Sequence, residues 1–253
     1  MYYYHPRYTL IRTSPLSFEQ ALELRQWEND YDFWRPARSG LSTDIMVGPT
    51  QKLYLSHQLA RLGIQFAEVI PDLGNLIKSQ QLAAESKRSY GRGDGRINFD
   101  QYYSHDELNA YIDDLATQND FLSTVSIGQS YEGRDMRVLQ ITKAGPGAPN
   151  IWIEAGIHAR EWISPAMATY IIDSLLNNDQ DGFLDKLNFH ILPSANPDGY
   201  EHSRNSDRLW RKTRSNYNSI LLCKGVDGNR NWDFHFAGLC QRKLEICQAF
   251  NHD

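Results

Sequence analysis

A histidine and a glutamate stand three residues apart just after a predicted buried strand. The stretch 150–162, NIWIEAGIHAREW, runs through apolar residues to Gly156 and then places His158 and Glu161 ahead of a predicted helix. An imidazole nitrogen and a carboxylate oxygen at this spacing can both face one zinc ion on a single turn. A zinc ion held by these two side chains needs a third protein ligand from elsewhere in the chain, and its fourth coordination position is left for water. A lone H-x-x-E is more often an ordinary surface or hydrogen-bonded pair, so the rest of the chain must decide.

Composition limits the possible partners. The chain has 253 residues with a net charge of -5, and 41% of its residues are hydrophobic. This length fits one large domain, or a medium and a small domain with separate cores. The Lys and Arg residues form no long stripe, so we expect no nucleic-acid partner. No apolar run approaches the length of a membrane span, so we expect no membrane partner either.

The first third of the chain predicts a small α+β domain. Strands are predicted at 8–13, 32–34, 44–47 and 64–70, and helices begin at the Ser17 capping box and at Thr50. The order β-α-β-β-α-β is that of the ferredoxin-like split βαβ unit. One further helix is predicted from Asp72 to about Ala84. We therefore predict a ferredoxin-like domain over residues 1–84.

Residues 85–96 predict a linker, because glycine, serine and basic residues leave almost nothing to bury. The four basic residues suit cleavage by a trypsin-like protease. A plain tether between two domains is the alternative.

The second domain predicts a mixed α/β sheet. A capping box at Ser104 opens a helix, and strands at 121–127 and 136–142 form an antiparallel hairpin. The strand before His158, a helix from Pro165 and a strand at 187–192 then imply a parallel pair. Ligands bind at the carboxyl ends of such strands, where His158 lies.

Three further blocks complete a family pattern. They are LPSANPDGY at 192–200, RLWRKTR at 208–214 and GVDGNRNW at 225–232. With the His158 stretch, they resemble the pancreatic-type (A/B) zinc metallocarboxypeptidase precursors, from about residue 8 to residue 238. The resemblance implies a carboxypeptidase-like mixed-sheet domain whose N-terminal part is residues 97–238. It also makes residues 1–84 the inhibitory propeptide and 85–96 the activation segment.

The resemblance implies a ligand set for Zn²⁺. It places zinc on His158 and Glu161, and makes Asp227 the carboxylate that orients the His158 ring. Read without the resemblance, Asp227 is a turn former.

The resemblance also implies residues that act on substrate. Arg211 matches the arginine that stabilises the oxyanion during hydrolysis. Asn229 and Arg230 match the pair that holds the free C-terminal carboxylate of a peptide, and Arg160 matches a residue of the next subsite. Without the resemblance, residues 208–214 are a solvated basic face and Asn229 is a loop residue.

Some family features are expected to be absent. Glu161 stands 92 residues from Asp253 (253 minus 161), whereas the resemblance places the second zinc histidine and the glutamate base farther downstream. Residues 239–253 do not resemble the family and are predicted to be a divergent tail. His235 or His252 could serve as a third ligand, although no spacing favours them. Cys223 matches half of a family disulfide, and its pairing with Cys240 or Cys247 stays open.

Two functions follow as hypotheses. The first is a secreted carboxypeptidase zymogen, impaired in this C-terminally truncated form, that removes C-terminal residues from peptides. No signal peptide is visible at residues 1–7, so secretion rests on the resemblance. The second is a non-catalytic isoform whose propeptide-like domain binds or inhibits a full-length carboxypeptidase. The residue type that is cleaved stays open.

Overall fold

The chain divides into two compact units between Ser86 and Lys87. The structure, a computed structural model, describes residues 7–28, 30–90, 97–218 and 223–233. The predicted tail at 239–253, the candidate ligands His235 and His252, and Cys240 and Cys247 all lie outside the described residues. In the described part of the chain, no helix has the length and apolar character needed to cross a membrane.

The unit before Ser86 has the predicted ferredoxin-like order. Its elements are β1 (Thr9–Thr13), α1 (Phe18–Arg25), β2 (Asp32–Phe33), β3 (Asp44–Val47), α2 (Lys52–Arg61) and β4 (Phe66–Ile70). The strands form an antiparallel sheet in the order β2-β3-β1-β4. The fold-class prediction for this region is therefore confirmed.

Local sequence explains why these elements form. The Ser17 side chain accepts from Gln20 N while the Gln20 side chain accepts from Ser17 N, which completes the predicted capping box. Leu55 and Leu59, one turn apart on α2, are fully buried against Ile11 and other core residues. This unit thus has a hydrophobic core of its own.

The next helix, α3 (Leu73–Tyr90), is longer than predicted. The sequence analysis ended it near Ala84 and assigned residues 85–96 to a linker. Glu, Lys and Arg, the residue types at positions 85, 87 and 88, favour helices, and the next glycine after Gly74 is Gly91. Residues 85–90 are consequently helical, and 91–96 lie outside the described residues.

The second unit contains a mixed sheet. Its elements are α4 (His105–Ala116), β5 (Leu122–Gln129), β6 (Asp135–Ile141), β7 (Asn150–Glu154), α5 (Ile163–Asn177), β8 (Asn188–Leu192), α6 (Pro197–Asn205), β9 (Asn216–Asn218) and β10 (Cys223–Lys224). Strands β5 to β8 follow the order β5-β6-β8-β7, with β5-β6 antiparallel and β7-β8 parallel as predicted. The core between the sheet and the helices includes the fully buried Leu139, Ile141, Ile172 and Ile191.

Helix α6 was not predicted. The sequence analysis ended a strand at Leu192 and predicted no element directly after it, yet Asn196 caps this helix by accepting from Gly199 N, and Pro197 occupies its first turn. Asparagine at the cap followed by proline is a start signal that could have identified it. Because β7 and β8 are parallel, α6 begins at the sheet edge where the His158 loop emerges.

Candidate metal centre

The His158 loop is fixed directly after β7. Gly156 turns the chain with φ +74°, and a Cβ there would lie 3.2 Å from the Pro165 ring. Its amide donates to Ser164 Oγ at 2.9 Å, which ties the turn to the start of α5. The positive φ and this close approach both favour glycine.

His158 lies between two carboxylates. Its side chain is 8% exposed, with Nδ1 2.9 Å from Glu161 Oε1 and Nε2 3.2 Å from Asp227 Oδ1. Asp227 is almost fully buried, whereas the Glu161 side chain is 47% exposed. The structure therefore brings together the three residues that the sequence analysis assigned to a metal site.

Arg211 completes this cluster. Its Nε donates to Asp227 Oδ2 at 2.9 Å, and its Nη1 lies 3.4 Å from Glu161 Oε1. Asp227 Oδ1 also accepts from Asn229 N at 2.9 Å, at the start of a 3₁₀ turn over Gly228–Arg230. A single buried carboxylate thus holds the histidine ring, the guanidinium and this turn together.

The charged side chains of this cluster shift one another's pKa values. Burial would raise the pKa of Asp227, but His158 and Arg211 outweigh it and hold that pKa far below the usual range. The hydrogen bond from His158 lowers the pKa of Glu161. Burial would lower the pKa of His158, but its bonds to Asp227 and Glu161 raise it above 6.5.

The contacts of the His158 ring match those of a metal ligand. If Nε2 donates to Asp227, then Nδ1 faces the ionised Glu161 with a lone pair unless it carries a second proton. A cation in the place of that proton would satisfy both groups, and an outer carboxylate is the usual partner of a metal-bound imidazole. A nitrogen and a carboxylate oxygen suit zinc. Among the described residues, no set of three His, Cys, Asp or Glu side chains is arranged to hold a metal.

The residues assigned to substrate are more exposed. Asn229 and Arg230 both face solvent, and Arg230 Nη1 donates to the Asn229 backbone oxygen at 3.2 Å. Within the described residues, neither side chain is hydrogen-bonded to the His158 cluster. Arg160 is half-buried, and its backbone oxygen accepts from Arg208 Nη1 at 2.8 Å.

Sequence reasoning missed residues that support the loop from behind. Ser203 Oγ lies 2.9 Å from the Ala159 oxygen and accepts from Trp162 Nε1 at 2.8 Å. The Arg208 guanidinium lies 3.8 Å from the Trp162 ring centre, and burial lowers its pKa to about 10. No local signal marks Ser203, which lies 44 residues from its partner Ala159, and Arg208 stands inside a block interpreted for Arg211 alone.

Two protein-family models match the chain. The chain matches the zinc carboxypeptidase family over residues 108–252 and the carboxypeptidase activation peptide family over residues 11–80. The first match continues beyond residue 238, where the sequence analysis placed the end of the resemblance.

The individual relatives that match the chain are carboxypeptidases. Carboxypeptidase B of Astacus astacus is 48% identical over 143 residues, covering 55% of this chain and 47% of that protein. Zinc carboxypeptidase A 1 of Anopheles gambiae is 34% identical over 92% of this chain and 54% of its own length. Carboxypeptidase A1 of Homo sapiens is 34% identical over 92% of this chain and 57% of its own length. The chain thus spans about half the length of the curated relatives it matches.

Solved structures share the fold. Carboxypeptidase A from Helicoverpa armigera superposes with a TM-score of 0.85 at 25% identity, covering all of this chain and 63% of that one. Thrombin-activatable fibrinolysis inhibitor superposes with a TM-score of 0.74 at 24% identity, covering 97% and 64%.

Proposed function

The chain belongs to the zinc carboxypeptidase family, and from this premise we propose that it takes part in zinc-dependent removal of C-terminal residues from peptides. The observation that carries the proposal is the cluster of His158, Glu161, Asp227 and Arg211. A domain of the carboxypeptidase activation peptide family precedes it, which indicates synthesis as a zymogen. We also propose that the protein is secreted, because it resembles this family.

His158 and Glu161 would hold the ion, and Asp227 would fix the ring so that Nδ1 stays available to it. When bound, zinc supplies a Lewis acid that polarises the scissile carbonyl and lowers the pKa of a bound water. Arg211, whose Nη1 lies near Glu161, is proposed to donate to the oxygen on which negative charge develops.

Substrate selection is proposed for the exposed side of the site. Asn229 and Arg230 can bind the free carboxylate of a peptide, because a guanidinium pairs with a carboxylate through two parallel hydrogen bonds. Arg160 is proposed to contact the preceding residue of the peptide. A peptide with an amidated C-terminus would lose this recognition.

We propose that His158 and Glu161 are the ligands among the described residues, and that a third ligand and a general base come from outside them. Two protein ligands hold zinc weakly, and a bound water without a base lacks a proton acceptor. We therefore propose that the described part of the chain by itself binds zinc weakly and turns over slowly.

Activation is proposed to occur in residues 85–96. A trypsin-like protease requires an extended segment, and Lys87 and Arg88 lie within α3. We expect cleavage after Lys87 or Arg88 to be slow while α3 stays folded, which N-terminal sequencing of the first products would show. Initial cleavage after Lys87 or Arg88 would contradict this expectation.

The proposal is tested with the 253-residue chain after limited trypsin treatment. Zinc affinity is measured by competition with a chelator, and release of a C-terminal amino acid is measured with and without added zinc. Zinc affinity and any turnover should be lost in His158→Ala, while His57→Ala, on the other unit, should match the unmodified chain. Equal zinc affinity in the unmodified chain and His158→Ala would refute the proposed site.

A second candidate function has separate support. The ferredoxin-like unit has its own core and a complete β-α-β-β-α-β order, so it can act as a binding module. In this alternative the chain is a non-catalytic isoform whose propeptide-like domain binds or inhibits a full-length carboxypeptidase. Titration of an active carboxypeptidase with the 253-residue chain would show a saturable fall in rate, and an unchanged rate at micromolar chain would exclude it.

A further inference from the structure

Asn196 joins two segments of the metal centre that are distant in sequence. Its Nδ2 donates to the backbone oxygen of Ile157 at 3.1 Å and to that of Lys212 at 3.1 Å. Ile157 immediately precedes His158, and Lys212 immediately follows Arg211. One buried amide group therefore spans the loops that carry the histidine and the arginine.

The backbone joins the same loops at a neighbouring point. Ala159 N donates to the Arg211 oxygen at 3.0 Å. Asn196 is 5% exposed, so water cannot easily replace its hydrogen bonds. The two contacts together restrain the separation of His158 and Arg211 from behind the site.

The asparagine side chain uses both ends of its amide. While Nδ2 binds the two carbonyls, Oδ1 accepts from Gly199 N at 3.0 Å and caps α6. A Cβ at Gly199 would lie 2.4 Å from the Lys212 oxygen, so the helix start and the arginine segment are in direct contact. Aspartate or serine could cap the helix equally well, but neither provides two donors.

We propose that Asn196 is a positioning residue that sets His158 and Arg211 at the spacing the metal site requires. The relevance of that spacing to zinc rests on the proposed function, whereas the link between the loops does not. The residue acts through the Ile157 and Lys212 carbonyls and has no contact with substrate in this scheme.

Asn196→Ser and Asn196→Asp separate positioning from capping. Both variants keep an oxygen that can accept from Gly199 N, and both lose the amide nitrogen. Trp210 Nε1 also donates to the Lys212 oxygen at 2.7 Å, so that oxygen keeps a donor in both variants. The Ile157 oxygen is therefore the one that mainly loses its hydrogen bond. The matched control is Asn188→Ser, because Asn188 is 6% exposed and donates to the Gly145 oxygen at 3.0 Å from the opposite end of β8.

Amide hydrogen exchange of the metal-free 253-residue chain measures directly how firmly Asn196 holds the His158 and Arg211 loops together. In both Asn196 variants, exchange at Ala159 should rise roughly tenfold, the effect of losing about one buried hydrogen bond. Exchange at Gly199 should stay near its original rate, because the cap is retained. Zinc affinity, measured by chelator competition, should fall roughly ten- to a hundredfold, as for other residues behind a metal ligand. Asn188→Ser should change neither quantity.

Two results would overturn the inference. The first is unchanged exchange at Ala159 in a variant that retains its far-UV circular dichroism. The second is an equal rise at Gly199 and Ala159 in both variants, which would show general loosening of α6. If the unmodified chain and His158→Ala bind zinc equally, the proposed function fails while the Ala159 exchange still decides the role of Asn196.

Discussion

The two sides of the candidate site are built differently. On the metal side, His158 and Asp227 are buried, and both oxygens of Asp227 and both nitrogens of the His158 ring have hydrogen-bond partners. On the substrate side, Asn229 and Arg230 are exposed, and Arg230 donates to the backbone of its own neighbour.

The difference separates geometry that the fold fixes from geometry that a ligand must fix. A buried network holds its side chains in place before any ligand arrives, since an unpaired charge there would be costly. An exposed arginine keeps its rotamer freedom and loses it on binding. Changes on the metal side should therefore alter stability and zinc affinity, and changes on the substrate side should alter recognition alone.

Asp227→Asn should show the largest effect. It removes the negative partner of both His158 and Arg211 at a site where the carboxylate is 3% exposed. We expect the free energy of unfolding to fall by about 3 kcal/mol, because a buried cation loses its counter-charge. Zinc affinity should fall roughly ten- to a hundredfold. Urea unfolding and chelator competition measure the two effects.

Asp185→Asn is the matched control, since Asp185 is 67% exposed in its pair with Lys143. This variant should change the unfolding free energy by less than about 0.5 kcal/mol. Similar losses in the two variants would show that burial does not distinguish the metal side.

Gly228→Ala tests the junction between the two sides. Gly228 stands between Asp227 and Asn229, and a Cβ there would lie 2.9 Å from Ile157 Cγ1. We expect a loss of about 1–2 kcal/mol in unfolding free energy from this overpacking. The same change in an Ile157→Ala background should cost less, because the contacting atom is removed. A double-mutant cycle by urea unfolding that gave no coupling would disprove this contact.

The sequence predicted elements better than it predicted the support behind the site. Capping boxes at Ser17 and Ser104 and the parallel strands around the His158 loop follow from local spacing, and the structure has them. The role of Asn196 could not follow from spacing, because its partners Ile157 and Lys212 lie 39 and 16 residues away. The end of α3 was placed too early because serine and basic residues were taken as linker signals, although residues 75–90 contain neither glycine nor proline.

The metal side should also respond to pH in two opposite ways. His158 has a raised pKa in the folded chain, so its contribution to stability is present below 6.5 and is lost as pH rises through the folded pKa. Asp227 and Glu161 have lowered pKa values, so their contributions are present above 3.8 and 4.5 respectively and are lost as pH falls through the folded pKa values. Without metal, the contribution of these groups should be largest between about pH 4.5 and 6.5.

Zinc affinity should change in the opposite direction over the upper range. The ion requires His158 to give up the proton shared with Glu161, so affinity should rise with pH through the folded pKa. Urea unfolding of the metal-free chain and chelator competition at pH 5.5 and 8.5 measure both trends. The fall in stability above pH 6.5 should be smaller in His158→Gln, and an unchanged profile would exclude His158 as the titrating group.

Arg230→Ala should have the smallest effect on stability and a selective effect on recognition. Because the side chain is exposed, its removal should change the unfolding free energy by less than about 0.5 kcal/mol and leave zinc affinity unchanged. Binding of a peptide with a free C-terminal carboxylate should weaken roughly tenfold, whereas binding of the same peptide with a C-terminal amide should stay the same. Arg230→Lys keeps the charge and loses the paired donors, so its affinity should fall between those of the other two forms. If binding of the free acid and of the amide weakened equally, the C-terminal carboxylate of the peptide would not bind at Arg230. A loss of zinc affinity would show that the two sides of the site are coupled.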